Sequence, residues 1–187
     1  MPRVLVPLAP GCEELEAVTI VDLLRRAEIE VVTAGLGEGP VRAAHGTVLV
    51  PDAALAAALR SDYDMVVLPG GMPGMENLKN DERILSLLRE MAEQGKYTAA
   101  ICASPVVLAE AGILKGKSAT GYPGFLDRLR LDDVRLKEYP VVRDGKVVTS
   151  RGPGTAMDFA LELVEILVGR HKRDQVEAAL QRPAREE

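Results

Sequence analysis

Short runs of β-forming residues alternate with helical patterns along nearly the whole chain, and this alternation restricts the fold more than any other feature. Arg3-Val-Leu-Val-Pro-Leu8 precedes a helical stretch from about Glu13 to Ala27, and Glu30-Val-Val-Thr-Ala34 then ends at Gly35. Thr47-Val-Leu-Val50 and a short Ala-rich helix from Ala53 to Leu59 lead to Met65-Val-Val-Leu68. The next helix carries Ile84, Leu85, Leu88 and Met91 on one face, with Asn80 expected as its N-cap and Gly95 as its stop. Thr98-Ala-Ala-Ile101 runs into a helix opening at Ser104-Pro105, where Ser suits the N-cap and Pro the first turn. Asp144-Gly145 predicts a hairpin between Val141-Val-Arg and Lys146-Val-Val-Thr. The last long helix places Ala156, Phe159, Ala160, Leu163, Val164 and Leu167 on one stripe.

Strands followed by crossover helices imply an α/β fold, a mostly parallel sheet with helices on both faces. Several strands lack polar alternation, as burial on both sides requires. Pro7 stands in tension with a central strand, and is expected near the strand's end, where its missing N–H costs least. The 187 residues suit one domain, 1–187, with only 181–187 reading as a frayed end. A 47% hydrophobic content and a net charge of −5 exclude disorder. Two cysteines far apart exclude a disulfide scaffold, and the scattered Cys and His exclude structural zinc. No basic stripe suggests dedicated nucleic-acid binding. No targeting segment is visible, and no apolar run approaches the roughly 18 residues of a membrane span, so a soluble cytoplasmic protein is expected.

Ligands of open α/β sheets bind beyond the carboxyl ends of the strands. Three loops leave such ends: Ala9-Pro-Gly-Cys-Glu-Glu-Leu-Glu16, Leu68-Pro-Gly-Gly-Met-Pro-Gly74 and Ala100-Ile-Cys-Ala-Ser-Pro105. Cys102 lies between an apolar strand and a helix start, an elbow that pushes a residue out at the sheet top. The helix dipole and free N–H groups would favour a thiolate there. A fall in pKa from ~8.5 to ~5.5 would raise the thiolate fraction at pH 7 from roughly 3% to nearly all. The alternative is a thiol buried as a small hydrophobe.

Glu16 heads an otherwise apolar stripe of Ile20, Leu23, Leu24 and Ala27. Such an acid is either tucked inward beside a polar site or complements the helix dipole; Glu13 and Glu14 fit the second reading, and Glu16 fits it less well because its face points to the sheet. A buried carboxyl there would have a raised pKa and act as a proton donor near pH 7. Gly71 and Ala103 would supply two backbone N–H groups for an oxyanion hole, or Gly70-Gly71 is an ordinary turn. Arg151-Gly-Pro-Gly-Thr155 reads equally as a capped turn or an anion-facing helix start.

Together and in this order, Gly11-Cys-Glu-Glu-Leu-Glu-Ala-Val18, Val67-Leu-Pro-Gly-Gly71, Ala99-Ala-Ile-Cys-Ala-Ser-Pro105 and Thr149-Ser-Arg-Gly-Pro-Gly-Thr155 resemble the ThiJ/PfpI superfamily. The resemblance is to its parkinsonism-associated deglycase branch and the bacterial ThiJ-like proteins, over about residues 3–180. It implies a flavodoxin-like α/β sandwich, usually a homodimer. By this resemblance Cys102 matches the reactive nucleophile, Glu16 its protonated partner, and Gly71 and Ala103 the backbone donors beside the sulfur. Tyr122 stands where the deglycase branch often carries His, and Arg151 joins it as a candidate substrate contact. Tyr hydrogen-bonds a substrate oxygen but is a poor base at neutral pH. Residue 103 is Ala where the protease branch has His, so a protease is disfavoured. By the same resemblance His45 lies in the hairpin region where relatives carry a basic residue reaching the partner's site, and His171 is expected in solvent.

The resemblance implies a glyoxalase- or deglycase-like activity on reactive dicarbonyls or early glycation adducts, with no metal and no cofactor. Small carbonyl compounds or glycated molecules would be the substrates. A second expectation is a redox sensor or chaperone whose Cys102 oxidises to a sulfinate held by Glu16. A disulfide between Cys12 and Cys102 is a minor variant.

Overall fold

The computed structural model describes residues 1–183. The strands are β1 (Arg3–Leu8), β2 (Glu30–Gly35), β3 (Val41–Arg42), β4 (Val48–Leu49), β5 (Ala53–Ala54), β6 (Met65–Leu68), β7 (Tyr97–Ile101), β8 (Ser118–Ala119), β9 (Arg135–Leu136), β10 (Val141–Asp144) and β11 (Val147–Ser150). The helices are α1 (Glu14–Arg26), α2 (Leu55–Ala58), α3 (Gly74–Lys79), α4 (Glu82–Glu93), α5 (Pro105–Glu110), α6 (Ala156–Val168) and α7 (Arg170–Ala179). Seven strands form one sheet in the order β10-β11-β7-β6-β1-β2-β5. All its pairings are parallel except the β10–β11 hairpin.

The apolar strands are buried on both sides because successive side chains enter opposite layers. Val4, Val6 and Leu8 of β1 pack in the layer holding Ile20 and Leu24 of α1 and Phe159 and Leu163 of α6. Leu5, with Val66 and Leu68 of β6, packs in the other, against Leu78 of α3, Leu88 of α4 and Val107 of α5. The expected flavodoxin-like sandwich is thus observed. Pro7 is tolerated because the β1–β6 ladder ends at Leu5, short of the proline, whose register partner is Ala34 of β2.

Several local expectations shift. Asp81, not Asn80, caps α4: its backbone is extended and its Oδ1 accepts from the Arg83 N–H at 3.0 Å, while Asn80 is already helical and closes α3. Ser104 sits at the start of α5, but its hydroxyl donates to the Pro69 carbonyl at 2.5 Å and makes no cap. In the hairpin, Asp144 pairs with Val147, so Gly145-Lys146 form the turn and Lys146 leaves the strand. The Thr47–Val50 run stays outside the main sheet and pairs with β3. Helix α7 was not foreseen, since its polar sequence buries only Val176. Of the segment expected to fray, Arg182 meets Asp158 at 2.8 Å and Glu177 at 3.3 Å, and residues 184–187 lie outside the described residues.

Candidate active site

The carboxyl ends of β1, β6 and β7 converge on one crevice. The chain leaves β1 toward β2 on one side, and β6 and β7 lie on the other, so the crevice sits at a topological switch point. The three loops singled out by sequence all open there.

The first loop starts α1 and assigns different tasks to its three acids. Glu13 caps the helix by accepting from the Leu15 N–H at 3.2 Å. Glu14 accepts from the backbone N–H groups of His45 and Thr47, at 3.0 and 3.4 Å, and so ties down the β3–β4 turn. Glu16 alone turns into the protein and is completely buried. Its Oε2 accepts from the Gly70 N–H at 2.7 Å, and its Oε1 is buried without a conventional hydrogen-bond partner among the described residues. The Cys102 thiol is the group that this carboxyl interacts with across the crevice.

Cys102 has φ +65°, the left-handed conformation that costs a β-carbon-bearing residue about 1–2 kcal/mol. Neighbouring segments pin it there. Its N–H donates to the Ser150 carbonyl at 3.0 Å, and its carbonyl accepts from the Tyr122 N–H at 2.8 Å. The elbow is therefore real, although the residue is only 9% exposed. The backbone N–H groups of Ala103 and Gly71 both interact with the Cys102 sulfur and favour its ionised form.

Gly70 is a residue that the sequence reading missed as a site component. A β-carbon on it would lie 2.6 Å from the Cys102 Cβ and 2.9 Å from Glu16 Oε2. Only glycine lets this backbone pass between the two side chains. The signal was the glycine pair itself, of which only the second member was given a role.

The electrostatics depart from the expected low thiol pKa. Burial, the negative charge of Glu16 and its hydrogen bond push Cys102 up to about 12, against the Ala103 and Gly71 N–H groups, which lower it. α5 has only six residues, so its dipole is a weak counterweight. Burial also pushes Glu16 up to about 7, opposed by the Gly70 hydrogen bond. The two groups therefore compete for a proton. When Glu16 holds it, the repulsion vanishes and the carboxyl gains an O–H able to donate.

Tyr122 is half-exposed, with its ring against Gly152 and edge-on to Phe125 at 6.1 Å. Arg151 follows the strand residue that holds the Cys102 N–H. In the turn after it, the Gly152 N–H donates to Thr155 Oγ1 at 3.1 Å, the capped-turn alternative. Cys12 is buried, and burial with the charge of Glu14 pushes its pKa up to about 11. His171 is exposed and distant in sequence from these loops. His45 Nδ1 lies 3.3 Å from both Glu13 and Glu14, a group able to offer three metal ligands, but Glu14 is already engaged by backbone donors.

A model of the DJ-1/PfpI family matches residues 2–166. The sequence is 44% identical over 178 residues to Protein DJ-1alpha of Drosophila melanogaster, covering 94% of this chain and 82% of that protein. It is 44% identical over 180 residues to Protein DJ-1 homolog B of Arabidopsis thaliana, covering 95% of this chain but only 41% of that longer protein. A Caenorhabditis elegans relative, named glutathione-independent glyoxalase DJR-1.2, is 35% identical over 173 residues and 92% of each chain. Among solved structures, Drosophila melanogaster DJ-1beta superposes with a TM-score of 0.93 at 40% identity, over 98% of this chain and 99% of that one. Oxidized Toxoplasma gondii DJ-1 gives 0.93 at 39% identity, over 98% and 100%.

Proposed function

Because the chain belongs to the DJ-1/PfpI family, we propose that it converts reactive dicarbonyls, free or as early adducts, through the Cys102 sulfur and the Glu16 carboxyl. The observation that carries this reading is the half-satisfied Glu16, one oxygen held by Gly70 and the other buried without a partner, in a carboxyl that interacts with the Cys102 thiol. Such a carboxyl, raised to about 7, gives and takes a proton near neutrality.

With methylglyoxal, the Glu16 carboxylate takes the Cys102 thiol proton, the sulfur attacks the aldehyde carbon, and Glu16 passes that proton to the resulting alkoxide, giving a hemithioacetal. The Glu16 carboxylate then removes the hydrogen on that carbon, and the electron pair moves into an enediolate whose negative oxygen backbone N–H groups stabilise. Reprotonation on the neighbouring carbon leaves a lactoyl thioester, and water releases lactate and the free thiol. The oxidation of one carbon is balanced by reduction of its neighbour, so no external redox partner is consumed. Tyr122 can donate to a substrate oxygen but is a weak base, which predicts slow turnover. The name of the nematode relative agrees with this chemistry.

The test is lactate formation from methylglyoxal by the wild type and by Cys102→Ala. Equal rates would end this reading. A second reading, a peroxide sensor whose Cys102 forms a sulfinate held by protonated Glu16, gains from the oxidized state of the Toxoplasma relative. Mass spectrometry after mild peroxide tests it, and oxidation of Cys12 with Cys102 untouched would reject it.

Among the described residues no helix is long and apolar enough to cross a membrane. We assign the protein to the cytoplasm, whose reducing conditions suit its two free thiols. We also assign a homodimer, supported by exposed Leu15 and Val18 on α1 with Val48 and Val50 at the β3–β4 hairpin. A monomeric mass in light scattering would reject it.

A further inference from the structure

Ser104 is completely buried two residues beyond Cys102, yet it makes no helix cap and the chemistry above gives it no task. Its backbone is fixed by the turn: its N–H donates to the Ile101 carbonyl at 3.1 Å, and its carbonyl accepts from the Val107 N–H at 2.8 Å. A serine at a helix start normally offers its side-chain oxygen to the first free N–H groups. Here the hydroxyl turns away from its own helix and donates to the Pro69 carbonyl, just past β6, at 2.5 Å.

That carbonyl shares its peptide unit with the Gly70 N–H, which donates to Glu16 Oε2 at 2.7 Å. The unit is planar, so a donor held on its oxygen fixes the direction of the N–H at its other end. The same contact draws electron density from the nitrogen and makes the N–H a stronger donor. The unit needs such a hold. The Pro69 ring fixes only its own φ, whereas this peptide turns about Pro69 ψ and Gly70 φ, and Gly70 has no β-carbon to restrict it. The next carbonyl, that of Gly70, is secured separately by the Glu13 N–H at 2.8 Å. The Gly71 N–H that follows acts on the Cys102 sulfur, so both reactive groups depend on this one loop.

We propose that Ser104 is a positioning residue for the Cys102–Glu16 pair, its hydroxyl holding and polarising, through the Pro69–Gly70 peptide, the N–H that anchors the Glu16 carboxyl. The direction of its effect follows from the anchor. The Gly70 N–H favours the ionised carboxyl, so withdrawing its support leaves Glu16 a stronger base. The other ionisable groups acting on Glu16 are Cys102 across the crevice and Glu13 at the start of α1, and Cys12 in the same loop feels its charge. Ser104→Ala changes none of these charges. The inference rests on the reading of Glu16 as the acid–base partner of Cys102, and names what sets its affinity for the proton.

The test labels the glutamate side-chain carboxyl carbons of the full chain with carbon-13, assigns the Glu16 signal by its loss in Glu16→Gln, and follows its titration without substrate. In Ser104→Ala the midpoint should rise by about half a pH unit, roughly a threefold fall in the ionisation constant, and Ser104→Thr, which keeps the hydroxyl, should restore it. Ser104→Cys keeps a weaker donor in nearly the same volume and should fall between them, which preserves the test if the alanine variant folds poorly. A serine that only fills space predicts another sign, because loosening admits water and leaves the midpoint unmoved or drops it toward the ordinary carboxyl value. An unchanged or lowered midpoint, or a rise shared equally by the threonine variant, would overturn the assignment. Lactate formation from methylglyoxal is read separately. Its absence in a protein whose midpoint moves as stated rejects the dicarbonyl chemistry and leaves Ser104 its role; its presence with an unmoved midpoint rejects that role alone.

Discussion

Glu16 accepts a 2.7 Å hydrogen bond from the Gly70 backbone through Oε2, while Oε1 is buried without a hydrogen-bond partner among the described residues. One carboxyl is thereby anchored on one oxygen and chemically available on the other. Removing the anchor, the proton or the donor has separable consequences.

Folding stability should fall as pH rises from about 4.5 to about 7. Burial raises the Glu16 pKa in the folded state, so the unfolded chain ionises first and gains free energy that the folded chain does not. The loss is on the order of 3 kcal/mol and is complete above the folded pKa. Urea melts across this range should show the slope in the wild type, and Glu16→Gln should flatten it and be the more stable protein at pH 8.

Replacing Glu16 by Gln or by Leu removes the charge in both cases but a hydrogen-bond donor only in the second. If Oε1 carries a proton toward sulfur, Cys102 should react with iodoacetamide at pH 7 several-fold faster in Glu16→Gln than in Glu16→Leu. A donor hydrogen bond to a charged group is worth about 1.5–3 kcal/mol, ample for that difference. Equal alkylation rates would mean that the carboxyl acts through its charge alone.

Gly70→Ala should disable the site without touching either reactive residue. Its new methyl meets the Cys102 Cβ at 2.6 Å and Glu16 Oε2 at 2.9 Å, so one of the pair must move. Overpacking of this kind costs about 1–3 kcal/mol of stability. Lactate formation should drop by about tenfold or more, because misplacement by an ångström can cost a hundredfold. Retention of full activity would remove Gly70 from the site.

Tyr122→His tests the weak base. Tyr122 lies beside Gly152 and Phe125, and the smaller imidazole fits the same space. General base catalysis contributes about 10²–10⁴-fold when the group is well placed, and even partial placement should raise kcat/KM about tenfold at pH 7.5. An unchanged rate would show that proton transfer at this position does not limit turnover.

Cys102→Gly should be more stable than Cys102→Ala. At φ +65° a β-carbon is strained and glycine is not, although glycine loses more freedom on folding. The net advantage should be about 0.5–1 kcal/mol, measured by thermal unfolding of the two inactive variants. A more stable Ala variant would mean that the elbow relaxes once sulfur is removed.

Much of the fold was legible in the chain because its signals are local. Uninterrupted apolar runs such as Met65-Val-Val-Leu68 require burial on both sides, and the stripe from Ala156 to Val164 requires a helix against a core. Errors arose where adjacent residues compete for one role. Asn80 and Asp81 are both good caps, and only the backbone angles show that Asp81 begins α4 while Asn80 ends α3. Helix α7 was invisible because one buried valine leaves no periodicity to detect.

The sequence by itself determined the α/β frame and set Cys102 at a strand-to-helix turn and Glu16 on a sheet-facing stripe, since each follows from residue type and spacing along one segment. What the tertiary structure decided was the state of the pair. Glu16 and Cys102 leave the ends of different strands, and Gly70 passes between them from a third. A pKa is set by loss of solvent and by charges and dipoles within a few ångströms, whatever their distance along the chain. A thiol expected to ionise easily from its place beside a helix is instead held protonated by burial and an ionised neighbour, and is released only when that neighbour takes the proton.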